Sequence, residues 1–201
     1  MRKSALISGS GKKIMSNIKN NSSGFTLVEL VVSVAIIAII STMAVTNFKG
    51  HDKKTKVDLA AYKLASDIRK AQSFALSMKE DGGSVPLGGW GLFLRDNPGN
   101  NDGFYFFKDT DGDHKRDNGE DYGEKILFLN DIFMKNGEMK LDGTAKNSLY
   151  ISFEPPNPNT WLCDNSGVCT SGTEAILTLT NSDSTHERTI KINKFGLIDV
   201  E

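Results

Sequence analysis

The chain is short of everything that announces a specialised composition. It has two cysteines, five prolines and three histidines in 201 residues. Two cysteines exclude a disulfide-dense miniprotein, and this glycine and proline content excludes collagen and a low-complexity tail. Basic residues show no excess: 24 Lys and Arg face 25 Asp and Glu, for a net charge of −1. The electrostatic footprint of a nucleic-acid binder is therefore lacking. A mean hydropathy of −0.31 excludes a multispan membrane protein. Catalytic signatures are missing too. His51, His114 and His186 lie far apart among polar or charged residues. The fragment Gly9-Ser10-Gly11-Lys12-Lys13 lacks the first Gly and the final Ser or Thr of a phosphate loop. No enzymatic activity is expected.

These shortages are unevenly spread. Residues 1–24 hold no acid but carry Arg2, Lys3, Lys12, Lys13 and Lys19, a charge of +5, which leaves −6 for residues 25–201. Residues 25–80 hold no proline and one glycine, Gly50, whereas all five prolines and 15 of the 19 glycines lie beyond residue 80. Three zones follow: a basic leader, a stretch free of helix breakers, and a β-favouring remainder.

From Leu30 to Phe48 no residue is charged, and 13 of the 16 residues from Leu30 to Val45 are apolar. A helix over 25–48 would be about 36 Å long, enough for a hydrocarbon core of about 30 Å. Beyond it, Val57, Ala61, Leu64, Ile68, Ala71, Ala75 and Met78 recur at alternating spacings of four and three. That spacing predicts an amphipathic continuation over 49–82, with Lys56, Lys63, Asp67 and Lys70 largely off the seam. Asp81-Gly82-Gly83 is the expected stop.

One acid stands at the head of the apolar run: Glu29. A carboxylate at the centre of a bilayer costs about 2.5–3.5 kcal/mol on insertion scales, so its default reading is functional. Its surroundings read Gly24-Phe25-Thr26-Leu27-Val28-Glu29-Leu30, after basic polar residues and before the apolar run. The segment closely resembles the N-terminal signature of the type IV pilin and pseudopilin superfamily. The resemblance implies cleavage between Gly24 and Phe25, N-methylation of Phe25, and an assembly role for Glu29 toward a neighbouring subunit's N-terminal amine. It implies as partners a prepilin peptidase and N-methyltransferase, other pilin or pseudopilin subunits, an inner-membrane assembly platform and membrane lipid. The expected location is the cytoplasmic membrane, crossed once, with residues 83–201 exported to the periplasm or beyond. A secretory signal peptide is the competitor, but Ser41-Thr42-Met43-Ala44 is a poor cleavage site and is followed by more apolar sequence. Met1 and Met15 both remain open as the start of the 1–24 leader.

The implied fold is α+β and pilin-like: a long N-terminal helix, half membrane-embedded and half amphipathic, packed on an antiparallel β-sheet domain. Strands are expected at Trp90–Leu94, Phe104–Phe107, Lys125–Leu129, Leu149–Phe153, Ala175–Thr180, Arg188–Asn193 and Leu197–Val200. The tail from Ile176 to Val200 resembles the C-terminal part of the H-type minor pseudopilins, except that Leu197 stands where that family often has Arg. Some H-type relatives are thought to bind DNA, so a filament-tip subunit for DNA uptake or adhesion is the alternative function. The −6 charge of the mature chain argues against nucleic acid.

Two loops carry further chemistry. Asp109, Asp111, Asp113, Lys115, Asp117 and Glu120 occupy relative positions 1, 3, 5, 7, 9 and 12, the ligand spacing of a calcium-binding EF-hand loop. An oxygen-rich set suits calcium, the one candidate cofactor, rather than zinc. Position 6 is His114 instead of Gly, the flanks read as strands, and Lys115 and Arg116 would oppose a cation. A solvated acidic turn is the competing reading. Cys163 and Cys169 enclose five residues. In an exported domain that spacing favours a disulfide over two free thiols.

Overall fold

The computed structural model describes residues 24–96, 103–157, 159–166, 169 and 171–201, with the backbone alone over residues 43–51. The leader before Gly24, with Met15 and Lys19, lies outside the described residues, as do Pro98, Pro158 and the side chain of His51. The chain divides into two units, Met1–Ala44 and Val45–Glu201.

In the first unit the helix α1 (Leu27–Leu76) begins. From Leu27 to Thr42 its side chains are exposed on every side: Leu27 is 79%, Val34 58% and Ile40 61% accessible. An apolar helix with no polar face is stable only inside a core or a membrane. Among the described residues, no helix is long and apolar enough to cross a membrane. Leu27–Thr42 alone measures about 24 Å, and residues 43–48 of the expected 25–48 span fall where only the backbone is described.

Among the described residues the second unit holds the rest of α1 and eleven strands: β1 (Gly89–Arg95), β2 (Gly103–Asp109), β3 (Ile126–Leu127), β4 (Ile132–Met134), β5 (Lys140–Leu141), β6 (Thr144–Ala145), β7 (Ser148–Glu154), β8 (Asn159–Cys163), β9 (Glu174–Asn181), β10 (Glu187–Asn193) and β11 (Ile198–Val200). They form a five-stranded sheet in the order β3-β2-β1-β7-β8 and a second sheet in the order β11-β10-β9-β5-β6, with β4 also paired to β9. All pairings are antiparallel. The architecture is α+β with a helix followed by a sheet domain, as the sequence implies.

The helical seam is the keel of the core. Val57, Ala61, Leu64, Ile68, Ala71 and Ala75 are fully buried, in one cluster with Trp90, Leu92, Phe104, Leu149 and Ile151 of the first sheet and Leu177, Leu179, Ile190 and Ile192 of the second. The alanines let strands carrying Trp and Phe come close, and each large side chain buried there contributes about 1.5–3 kcal/mol. Polar contacts add to the docking: Asp58 pairs with Arg188 at 2.6 Å, and Arg69 Nη2 donates to the Ile198 carbonyl at 3.0 Å.

Met78 departs from the expected seam. It is half exposed and takes φ 48°, ending the helix before Asp81-Gly82-Gly83 is reached. The Lys79 amide donates to the Phe74 carbonyl and the Met78 amide to that of Ala75, the paired bonds of a Schellman cap. Asp67 is off the seam yet buried, its carboxylate held 2.7 Å from Lys63. The expected Lys125–Leu129 strand shrinks to β3, and four strands were not expected: β4, β5, β6 and β8. Of these, β5 and β6 flank Asp142-Gly143, whose φ values of 50° and 77° make the two-residue turn that an Asp-Gly pair favours.

Candidate functional site

Gly24 and Phe25 precede the helix without regular structure and are exposed, so the peptide bond between them is accessible. Thr26 caps α1: its Oγ1 accepts the Glu29 amide at 3.2 Å, and its carbonyl accepts the Leu30 amide at 3.1 Å. Thr-x-x-Glu before an apolar run is the capping-box pattern, a signal present at 26–29 beside the charge that marks Glu29. Glu29 thus stands in the first helical turn, where the helix dipole favours a carboxylate. A new amine made at Phe25 would lie four residues away in sequence, at the same end of the helix.

The acidic loop sits between β2 and β3. Asp109, fully buried at the end of β2, accepts the Gly112 amide at 2.6 Å and the His114 amide at 2.7 Å. Its carboxylate occupies the space a side chain at residue 88 would need, since a Cβ on Gly88 would fall 1.7 Å from Oδ2. Glu120 is also buried and closes the loop, accepting Thr110 N–H and Asp117 N–H at 2.7 and 2.8 Å. Asp111 and Asp113 accept the amides two residues on, of Asp113 and Lys115. Two carboxylate groups result, Asp109 with Asp111 and Glu120, and Asp111 with Asp113 and Asp117. Within each the ligand oxygens lie within 4.8 Å of one another.

His114, the residue that departs from the EF-hand pattern, adopts φ 64°, the left-handed conformation for which Gly is ordinarily chosen. Arg116 does not oppose a cation in the loop. It forks onto Asp121 and lies over the Tyr105 ring, 4.2 Å from its centroid. The charge of Lys115 acts on Asp117, partly offsetting the crowded carboxylates; at position 7 an EF-hand loop uses a backbone carbonyl.

Crowding of negative charge marks the loop. Burial, opposed by the two amides and aided by Glu120 and Asp113, raises the Asp109 carboxyl to about 6. The charge of Asp113 raises Asp117. Burial lowers His114, leaving a neutral imidazole whose Nδ1 lies 3.4 Å from Asp109 Oδ2. The donor set is oxygen-only and its buried members are short of positive charge, so these residues fit a hard divalent cation.

Cys163 and Cys169 form a disulfide with Cα atoms 5.3 Å apart. It packs on the far face of the first sheet beside Phe107, Tyr150, Phe93 and Trp161. Burial alone would raise neighbouring Asp164, but Lys146 and Ser166 hold it at about 2. Of the other histidines, His186 donates its backbone amide to Asn181 Oδ1 within the β9–β10 turn.

No curated protein and no solved structure matches the chain. The family described as the prokaryotic N-terminal methylation motif matches residues 19–45, the region that contains Gly24, Phe25, the Thr26 cap and Glu29. At its N-terminus, therefore, the chain carries the signature of the type IV pilins and pseudopilins.

Proposed function

We propose that this chain is a structural subunit of a type IV pilus or a type II secretion pseudopilus, a minor one of H type. The methylation motif itself implies processing by a prepilin peptidase and assembly with other pilin subunits. The single observation that carries the filament-subunit reading is the coincidence of that motif with an apolar helix exposed on all faces, whereas the H-type part rests on the resemblance of the tail from Ile176 to Val200. Such a surface is costly in water and is covered in a membrane before assembly and in a bundle of like helices after it. The peptidase cuts between Gly24 and Phe25, the Phe25 amine is methylated, and residues 25–48 anchor the chain in the cytoplasmic membrane with residues 83–201 outside. Glu29 pairs with the Phe25 amine of a neighbouring subunit, since opposite charges withdrawn from water attract strongly and either alone is costly. The acidic loop takes a calcium ion through Asp109, Asp111, Asp113, Asp117 and Glu120 with the carbonyl of Lys115, stapling the β2–β3 connection.

Mass spectrometry of the mature protein tests the central claim. A chain that begins at N-methylated Phe25 is expected, and any other N-terminus overturns it.

A further inference from the structure

The face of the first sheet opposite the main core carries a second feature, unrelated to the N-terminal motif. An open polar cleft of about 710 Å³ lies over β1 and β7. Its floor is Phe93 and Tyr150, direct partners in the strand register, whose rings stack 4.7 Å apart. Three cations wall it: Arg95 from the end of β1, Lys146 from the connection before β7, and Arg116 from the acidic loop, whose guanidinium is already paired with Asp121, so Arg95 is the cation left to meet a ligand carboxylate. Among the described residues only one carboxylate lines the cleft, Asp164, and it is taken by Lys146 at 2.5 Å. The Arg95 side chain is exposed and has no ion pair with another described side chain, though its charge acts on the Tyr150 hydroxyl. The remaining polar lining is neutral: Asn147, Ser148, Asn165 and Ser166.

That combination selects a ligand. Guanidinium groups recognise carboxylates by paired hydrogen bonds. Amide and hydroxyl side chains both donate and accept, which matches the donor and acceptor character of sugar hydroxyls. Single-stranded nucleic acid needs aromatic faces free for base stacking. Here the two rings stack on each other and Tyr150 is 6% exposed. We infer that this cleft binds an acidic oligosaccharide, a chain of sugars bearing carboxylates. The inference stands on the cleft alone and does not depend on the filament reading.

The full-length protein in detergent is titrated calorimetrically with three probes: a hexamer of galacturonic acid, a neutral hexamer of glucose and a single-stranded 12-mer of thymidylate. Saturable binding of the hexuronate, at least tenfold tighter than of either other probe, is expected. Arg95→Ala should weaken it about tenfold and Arg95→Glu further, while Lys135→Ala, on the second sheet, leaves it unchanged. Thermal melting confirms that the Arg95 variants are folded, as expected for an exposed side chain with no ion pair among the described residues. Equal affinity for the neutral hexamer, tighter binding of thymidylate, no saturable binding, or an unaffected Arg95→Ala variant each overturns the proposal.

Discussion

The imidazole of His114 lies flat on the indole of Trp161, with ring centroids 3.9 Å apart and planes 12° from parallel. This contact ties the acidic loop to β8, three strands from its own attachment on β2. His114 holds φ 64°, which costs an L-residue about 1–2 kcal/mol, and the stack returns about 0.5–1.5 kcal/mol. His114→Ala loses the stack and keeps the strain, whereas His114→Gly loses both. Glycine is therefore expected to melt above alanine by about 1 kcal/mol in stability. The reverse order in thermal unfolding would contradict the left-handed conformation at this position.

Calcium should stabilise the folded chain. A cation at 100 times its dissociation constant adds about 2.7 kcal/mol by mass action, provided the unfolded chain does not bind it. Asp111 belongs to both carboxylate groups, so Asp111→Ala should abolish the shift in melting temperature on adding calcium. Magnesium should do less, because it demands a tighter octahedral shell. A wild-type melting temperature that ignores calcium and chelator alike would identify the loop as a solvated turn.

In chelator the same loop should give an inverted pH response. Asp109 has a folded-state pKa of about 6 against an ordinary 3.8, so between those values the native chain binds more protons than the unfolded one. Stability then falls as pH rises from about 4 to 6, opposite to the usual aspartate. Asp164, held at about 2, acts in the usual direction but in a lower window, its contribution being lost as pH falls from about 4 to 2. Asp109→Asn should remove the Asp109 share of the upper window and leave the lower one, so that the raised Asp117, of the same sign, and the lowered His114, of the opposite sign, account for what slope remains. Saturating calcium should do the same, since the cation keeps Asp109 ionised. Melting curves across pH 3–7 decide the point.

The Cys163–Cys169 bridge closes a short loop, and the chain-entropy account gives it about 2 kcal/mol. Cys163→Ser should lower stability by about that amount without unfolding the domain, because the main core lies on the other face of the sheet. A larger loss, read from denaturant unfolding, would mean that the bridge holds β8 in place.

What the sequence disclosed and what it hid divide along physical lines. The helical seam was legible because six of its positions obey a strict spacing, and the β9–β10 hairpin because Ile190 and Ile192 alternate with polar residues. The helix end was not, because Met78 adopts a left-handed conformation that its side chain does not advertise. Strand β8 was hidden behind Pro155-Pro156-Asn157-Pro158, and β4 is only three residues long. The loop carboxylates were legible from spacing, but the diversion of Arg116 to Asp121 depends on where the loop lies over Tyr105, which no local pattern encodes.

Glu29 carries two separable roles, and one pair of substitutions divides them. At the third helical position after the Thr26 cap, either Glu or Gln can complete a capping box. Only Glu can pair with a neighbouring amine. If capping were the whole role, Glu29→Gln would assemble normally and Glu29→Ala would lose at most about 1 kcal/mol of helix stability. If charge pairing is the role, Gln and Ala should fail alike in incorporation into filaments, while membrane insertion and cleavage after Gly24 continue in both. Immunoblots of sheared filaments against membrane fractions read the first outcome, and the mass of the membrane-retained chain reads the second. Normal incorporation of Glu29→Gln would reduce Glu29 to a cap.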